Sequence, residues 1–321
     1  MRILPSTLIS TEVLDALTAL LLEKEALRRA LRVQRLGPRV EDPELARRRF
    51  RRIIGITHEL LNLDGVHVDE PRLQLTHRLR HLPRQVLNLC FFLFPIAFFF
   101  IYLDLHHEET APATWLARLA VFSLLIIPLL VYRRGKLNIE HDCSYVRDAS
   151  GQTITIDQLH SVQFDSYVAH EYAHHLYFEL FDRKKEHWIR EGWARLAQWE
   201  VVHRLYRSEK NPTYLYYTLD QVVGELKFAC EIISMVLGRK LPKEVQRIQT
   251  MYKMNPLLRH LTGTPGFDIY ELLDHAIGTA SYFLAGHCLG SEKALCQPAS
   301  IEEQLTRLKE EGLEKCRFIK M

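Results

Sequence analysis

The chain has 321 residues, of which 47% are hydrophobic and 25% are charged, so it is long enough for two modest domains and too apolar for large-scale disorder. The formal net charge of +3 is too small to indicate nucleic-acid binding by itself. The six cysteines include no CxxC pair, which argues against a cysteine zinc knuckle and predicts free thiols.

Residues 1–85 are predicted to form a basic, mostly helical N-terminal segment. Helical periodicity extends from Thr11 to about Val33, and a second helix begins with Asp42 as N-cap and Pro43 in the first turn. Its arginines either contact anionic lipid head groups or form a solvated charged face: Arg47, Arg48, Arg49, Arg51 and Arg52. Because no aromatic residues are interleaved with them, we expect no nucleic-acid partner.

Two apolar runs follow the N-terminal segment. Residues 86–103 contain no charge, and residues 115–132 contain Arg118 as their only charge. Eighteen helical residues measure about 27 Å, close to the roughly 30 Å of a bilayer's hydrocarbon core. The sequence therefore predicts a transmembrane hairpin over residues 86–132 that contacts the lipid bilayer.

The charges beside these runs predict an orientation. Basic residues precede the first run and follow the second, whereas the connecting loop, 104–114, has no Lys or Arg. The positive-inside rule then predicts an integral membrane protein with two spans and both termini in the cytoplasm. The alternatives are a pair of buried helices in a soluble core and a hairpin that enters only one leaflet of the bilayer. On this reading the hairpin separates the N-terminal segment from a C-terminal domain over 133–321.

The C-terminal domain is predicted to begin with extended chain and to continue as helices. Residues 152–156 alternate polar and apolar side chains, as a strand does, and the chain is predominantly helical from Gln158 onward. A capping box at Ser300 begins the last predicted helix. The expected fold class is α+β, mostly helical, with a small sheet.

The chemistry of the chain is concentrated in the pentad HEYAH at residues 170–174. On a helix, residues four apart project from one face, so His170 and His174 can hold a single metal ion. Glu171 is then placed beside the metal, where it can act as general base on a water molecule. His175 points to another side of the helix and is expected to be structural.

A catalytic zinc ion needs a third protein ligand and one open coordination position. The metzincin pattern would put a third histidine at position 180, which is Leu180, so that class is excluded. Glu191 lies on a second predicted helix, and an antiparallel return of that helix would bring it to the metal. Asp182 is the alternative third ligand, and a surface position for Glu191 is the structural alternative.

The HExxH pentad and the stretch Glu191-Gly192-Trp193-Ala194, an E-G-x-A motif, together resemble the gluzincins, the thermolysin-like branch of the zinc metallopeptidases. The resemblance covers about residues 155–205, and residues 1–135 lie outside it. It implies a zincin-like fold with one Zn²⁺ per chain, held by His170, His174 and Glu191, with Glu171 as catalytic base. It also implies a sheet whose edge strand binds substrate, a place expected for residues 152–156.

Gluzincins stabilise the oxyanion with a downstream Tyr or His, and the chain offers three candidates, among which the choice stays open: His275, Tyr282 and His287. Asp274 and the acids of the second helix are candidates for orienting the histidines. We therefore expect a zinc-dependent endopeptidase that cuts protein or peptide substrates at the cytoplasmic membrane surface. The alternative is a catalytically inactive metallopeptidase-like membrane scaffold or regulatory protein.

Overall fold

A computed structural model of the chain divides into two compact units, and all the residues it describes belong to the first unit. The structure describes residues 5–31, 36–63, 65–76, 143–148, 151–157, 159–181, 186–249, 269–296 and 301–311. This part of the chain is mostly helical and has one small sheet, which confirms that part of the predicted fold class. The predicted domain boundaries at residues 85 and 133 lie outside the described residues and stay predictions.

The described residues form nine α-helices, which a short 3-10 helix, Ser6–Leu8, precedes. The helices are α1 (Thr11–Ala30), α2 (Pro43–Leu60), α3 (Ser161–Leu180), α4 (His187–Glu209), α5 (Thr213–Val236), α6 (Lys243–Gln246), α7 (Ile269–Leu289), α8 (Ser291–Cys296) and α9 (Ile301–Glu311). The strands are β1 (Arg72–Thr76), β2 (Ser144–Asp148) and β3 (Gly151–Asp157).

The two N-terminal helices begin at the predicted residues, Thr11 and Pro43. The Ser10 hydroxyl accepts a hydrogen bond from the backbone N–H of Val13 at the start of α1. The Asp42 carboxylate accepts hydrogen bonds from the first turn of α2, where Pro43 lacks the N–H that would otherwise be unsatisfied. The predicted Ser300 cap of α9 lies outside the described residues.

The arginines of α2 pair with acids of the chain itself. Arg49 points inward and forms a bidentate ion pair with buried Asp165, at 2.7 and 2.9 Å. Three others pair nearer the surface: Arg47 with Glu44, Arg51 with Glu70 and Arg52 with Glu209. The predicted contact of these arginines with lipid head groups stays a prediction.

The sheet has the order β1-β3-β2, so β3 is its central strand. β3 pairs in parallel with β1 and antiparallel with β2, in the register Ser144↔Thr155 to Asp148↔Gly151. The predicted strand over 152–156 is confirmed, but its expected place at the edge is wrong. β1 comes from the N-terminal segment and covers the side of β3 that was expected to be free. The edge strand packed beside α3 is β2.

The core lies where α3, α4 and α7 pack together, with α1 packed on α5. Trp193 of α4 is fully buried against the rings of Tyr177 and Phe181, and its indole N–H donates to the carbonyl of Leu295 at 2.9 Å. α1 contributes fully buried leucines, each worth about 1.5–3 kcal/mol of burial. The N-terminal segment therefore belongs to the same core as the HExxH helix.

The structure corrects the predicted transmembrane hairpin and the predicted multi-pass location in a membrane. Within the described ranges, no helix combines the length and the apolarity needed to cross a bilayer. The longest of them, α5, carries the buried charged residues Asp220, Glu225 and Lys227, which a lipid-facing helix would not tolerate. The runs 86–103 and 115–132 lie outside the described residues. They were assigned as membrane spans from their length and apolarity. These two properties are not sufficient, because crossing a bilayer also requires that the residues form a continuous helix.

The expectation of free thiols holds for three cysteines, Cys143, Cys230 and Cys296. It is wrong for Cys288, which forms a disulfide with a partner outside the described residues. Scattered spacing in the sequence does not reveal such a pair, because disulfide formation depends on tertiary proximity.

Helices α4 and α7 cross in direct backbone contact at two glycines. A Cβ added to Gly192 would lie 2.2 Å from the carbonyl oxygen of Gly278. A Cβ added to Gly278 would lie 2.2 Å from the carbonyl oxygen of Trp188. Both atoms met are backbone atoms, which cannot move aside as a flexible side chain would. Any other residue at either position must push the two helices apart.

We expect Gly278→Ala to lower the free energy of unfolding by about 1–3 kcal/mol or more, because the added methyl overpacks a backbone contact. Urea denaturation measures the change. The matched control is Gly286→Ala in the same helix, where the added Cβ comes no closer than 3.5 Å to its neighbours. The higher helix propensity of alanine should leave that variant equally stable or more stable. Equal stability of both variants would contradict the close crossing.

Candidate metal centre

The N-terminus of α3, the helix that carries the HExxH pentad, is held by a loop from the N-terminal segment. The backbone N–H of Ser161 donates to the carbonyl of Pro38 at 2.9 Å, and that of Val162 donates to the carbonyl of Leu36 at 3.1 Å. These bonds satisfy two of the donors that a helix start leaves without a partner. Gly37 permits the contact, since a Cβ there would lie 2.0 Å from the Ser161 hydroxyl oxygen.

His170 and His174 lie on the same buried face of α3. Their Nε2 atoms are 3.2 Å apart, and their rings are nearly perpendicular, at 89°. This is the arrangement that their spacing of four residues predicts for a helix. The two Nε2 atoms therefore point toward a common position.

Glu191 reaches the same position from α4. Its Oε2 atom lies 3.5 Å from His170 Nε2 and 3.3 Å from His174 Nε2. The antiparallel return expected from the sequence thus brings the carboxylate to the two histidines. Asp182, the alternative third ligand, lies outside the described residues.

His275 joins the cluster from α7. Its Nδ1 atom is 3.1 Å from Glu191 Oε2, and its ring stacks near that of His170, with centroids 6.1 Å apart. Candidate ligand atoms of His170, Glu191 and His275 all lie within 4.8 Å of one another. This cluster can hold a metal ion.

Three buried atoms of the cluster make no hydrogen bond: His170 Nδ1, and the facing pair Glu191 Oε2 and His275 Nδ1, which lie 3.1 Å apart. Leaving such a group unsatisfied costs about 1–3 kcal/mol, and a buried polar atom without a partner is the exception in proteins. A cation between the facing pair would satisfy both of its atoms. Imidazole nitrogens together with a carboxylate oxygen form a donor set that suits zinc and related transition metals, so these residues fit a metal ion.

The other two candidates for oxyanion stabilisation lie farther along α7. Tyr282 is fully buried against the Gly192 crossing, and its burial raises its pKa well above the ordinary value. A helix rises 1.5 Å per residue, so Tyr282 is about 10 Å and His287 about 18 Å from His275 along the axis. Of the three candidates, the structure brings His275 to the cluster.

Glu171 lies beside the cluster and against the edge strand. Its carboxylate accepts a hydrogen bond from the backbone N–H of Tyr145 in β2. Burial raises the pKa of Glu171 to about 7, against the lowering effect of His174. A cation bound at the cluster would bring this pKa back toward the ordinary value, because a positive charge favours the ionised carboxylate.

The charges within the cluster favour an ionised Glu191. Burial alone would raise its pKa, but the neighbouring imidazoles of His174, His275 and His170 hold it well below the ordinary value. Burial lowers the pKa of His170, whereas for His174 the attraction of Glu191 outweighs burial and raises the pKa. The cluster thus presents a negative carboxylate among imidazoles, which attracts a cation.

A buried ion pair lies next to the cluster. Arg195 of α4 donates two hydrogen bonds to the Glu225 carboxylate, at 2.6 and 3.0 Å, and the Thr279 hydroxyl donates a third at 2.6 Å. Glu225 Oε1 is 4.0 Å from His275 Nδ1. This network joins α4, α5 and α7 behind the metal-binding face.

Sequence reasoning assigned no role to Arg195 or Glu225, and it did not predict the contact of His187 with Glu191. His187 lies 3.2 Å from Glu191 Oε1 and Arg195 supports the ion pair, and both residues are four positions from Glu191 on α4. This spacing is a signal that could have found them, because residues four apart share a helix face. Nothing local in the sequence connects Glu225 to the cluster.

No family model, no curated protein and no solved structure matches the chain. The assignment of a function therefore depends on the geometry and chemistry of the cluster.

We expect Glu225→Gln to lower the free energy of unfolding by about 3–5 kcal/mol, because it leaves the buried Arg195 charge without its partner. Urea denaturation at neutral pH measures the loss. The control is Glu44→Gln, which removes the partner of the exposed Arg47 and should cost less than about 1 kcal/mol. A loss below about 1 kcal/mol for Glu225→Gln would mean that the buried pair contributes no more than a surface pair.

Proposed function

We propose that the chain is a zinc-dependent peptidase, with zinc held by His170, His174 and Glu191. The proposal is carried by the triangle of His170 Nε2, His174 Nε2 and Glu191 Oε2, whose edges measure 3.2, 3.3 and 3.5 Å. Ligand atoms about 2.1 Å from a tetrahedral zinc ion lie about 3.4 Å apart. The triangle therefore has the size of one face of a zinc tetrahedron and leaves the fourth position free.

Zinc bound there would polarise the carbonyl of the substrate and lower the pKa of a water molecule. Glu171 takes the proton as the water's oxygen adds to the carbonyl carbon, and it delivers the proton to the amine nitrogen as the C–N bond breaks. His275, whose Nδ1 lies 3.1 Å from Glu191 Oε2, would donate to the carbonyl oxygen as negative charge develops on it. The resemblance of the two motifs to those of gluzincins supports this division of roles.

The edge strand β2 supports a peptide as the substrate. Within the part of the chain that the structure describes, no strand pairs with the outer side of β2. Because Tyr145 of β2 contacts the Glu171 carboxylate, an extended peptide added to this edge would pass beside the cluster. The exposed side chain of Val146 offers an apolar contact to such a peptide.

One observation favours a second candidate function, that of a catalytically inactive metal-binding protein with a scaffold or regulatory role. His275 Nδ1 also points at the cluster, at 3.1 Å from Glu191 Oε2. A fourth protein ligand would close the coordination sphere, as in structural zinc sites, and would leave no position for water. The two candidates differ in the role they give to His275.

We expect Glu171→Gln to lower kcat by about 10²–10⁴-fold with zinc content unchanged, because the amide cannot accept the proton. Hydrolysis of an unstructured protein such as casein, together with zinc analysis of the same samples, measures both properties. The control is Glu179→Gln on the same helix, whose carboxylate pairs with Arg147 at the surface. Hydrolysis by Glu171→Gln at the wild-type rate would exclude this mechanism.

Metal content separates the two candidate functions. We expect the wild-type protein to bind about one zinc ion per chain, and His174→Ala to lose it because a ligand is removed. His275→Ala should retain zinc and lose hydrolysis, with His203→Ala on α4 as the matched control. A wild-type protein that binds zinc but hydrolyses no peptide, and a His275→Ala variant that releases the zinc, would favour the closed, inactive site.

A further inference from the structure

The two carboxylate oxygens of Glu191 have different surroundings. Oε2 faces the ring nitrogens of His170, His174 and His275. Oε1 faces away from them and lies 3.2 Å from His187 Nε2. His187 is the first residue of α4, one turn before Glu191 on the same helix face. The two carboxylate oxygens of Glu191 are thus contacted by different histidines.

The second nitrogen of His187 is also next to a carboxylate. His187 Nδ1 lies 3.2 Å from Oδ2 of Asp274, which is 3% exposed. Asp274 belongs to α7 and is the neighbour of His275. The sequence of contacts Asp274–His187–Glu191 therefore connects the same two helices that cross at their glycines. Each ring nitrogen of His187 therefore lies 3.2 Å from a carboxylate oxygen, and a ring N–H at such a distance can donate to it.

A glutamate ligand needs such a contact because its terminal torsion is broad. A freely rotating carboxylate can bind a metal through either oxygen or through both. Polar groups that contact a ligand from outside the coordination sphere fix its orientation, and their loss typically costs 10–100-fold in metal affinity. A hydrogen bond donated to Oε1 would keep that oxygen from the metal and leave Oε2 to bind it.

We propose that His187, oriented by Asp274, is a positioning residue that holds Glu191 Oε1 so that Oε2 alone binds the metal. This inference rests on the metal site proposed above. It gives His187 no contact with the substrate or the metal, and it distinguishes His187 from the ligands His170 and His174.

The test compares zinc dissociation constants of full-length variants, measured by competition with a chromophoric chelator. His187→Ala should bind zinc 10–100-fold more weakly than wild type. His187→Gln should recover most of this loss, because its amide N–H can donate to Oε1. Asp274→Asn should lose less than His187→Ala. The visible spectrum of the Co²⁺-substituted protein should change in His187→Ala and return toward wild type in His187→Gln.

The matched control is His203→Ala, which removes a half-buried histidine of the same helix that packs on Trp199 and Tyr206. It should leave zinc affinity and the Co²⁺ spectrum unchanged. If wild type binds zinc and His187→Ala binds it equally tightly, the positioning role is wrong while the metal site stands. Equal losses in the Ala and Gln variants, with equally lowered melting temperatures of the metal-free proteins, would also overturn it. If wild type binds no zinc, the proposed function itself fails.

Discussion

The direct backbone contact of α4 and α7 at Gly192 and Gly278 is the constraint on which the candidate metal centre depends. Glu191 immediately precedes one of these glycines, and His275 lies one turn before the other. The helices can approach this closely only without a Cβ at either position. The 3.1 Å contact between Glu191 and His275 follows from that approach. The glycine of the E-G-x-A motif therefore has a mechanical role, because it allows the carboxylate to meet a second helix.

The free-energy cost of burying charged side chains among helices is offset by pairing each of them with an opposite charge. Arg195 and Glu225 are almost completely buried and satisfy each other in a bidentate pair. Arg49 likewise forms a bidentate ion pair with Asp165 on the HExxH helix. Arg49 lies outside the part of the chain that resembles the gluzincins. Removing the N-terminal helices would leave Asp165 without its cation, so the candidate site cannot be separated from residues that carry none of its motifs.

The local parts of the site could be predicted from the sequence, because they depend on helix periodicity. The spacing of His170 and His174 and the cap at Asp42 are properties of single helices, and the structure shows them as expected. The choice among three residues of α7 could not be made, because it depends on where that helix crosses α4. β1 was missed for a similar reason. Its five residues pair with a strand far along the chain, and this pairing moved β3 from the edge to the centre.

The prediction of a transmembrane hairpin failed for a different reason. Length and apolarity indicate a span only if the residues form one continuous helix, which composition does not establish. The E-G-x-A motif was more informative, because it contains both the polar residue and the small residue that its packing requires. A sequence motif that includes the residue against which a functional residue packs therefore predicts structure better than composition does.

Among the described residues no strand covers the outer side of β2, and this edge carries a liability for the protein in solution. An edge strand with unpaired N–H and C=O groups can accept a strand of another molecule, including a second copy of the same chain. Val146 adds an exposed apolar side chain to this edge, and Arg147, paired with Glu179, adds a charge that opposes self-association. If the edge serves to accept extended peptides, it cannot be fully blocked. The strand that accepts peptides would then also be the strand through which the protein aggregates at high concentration.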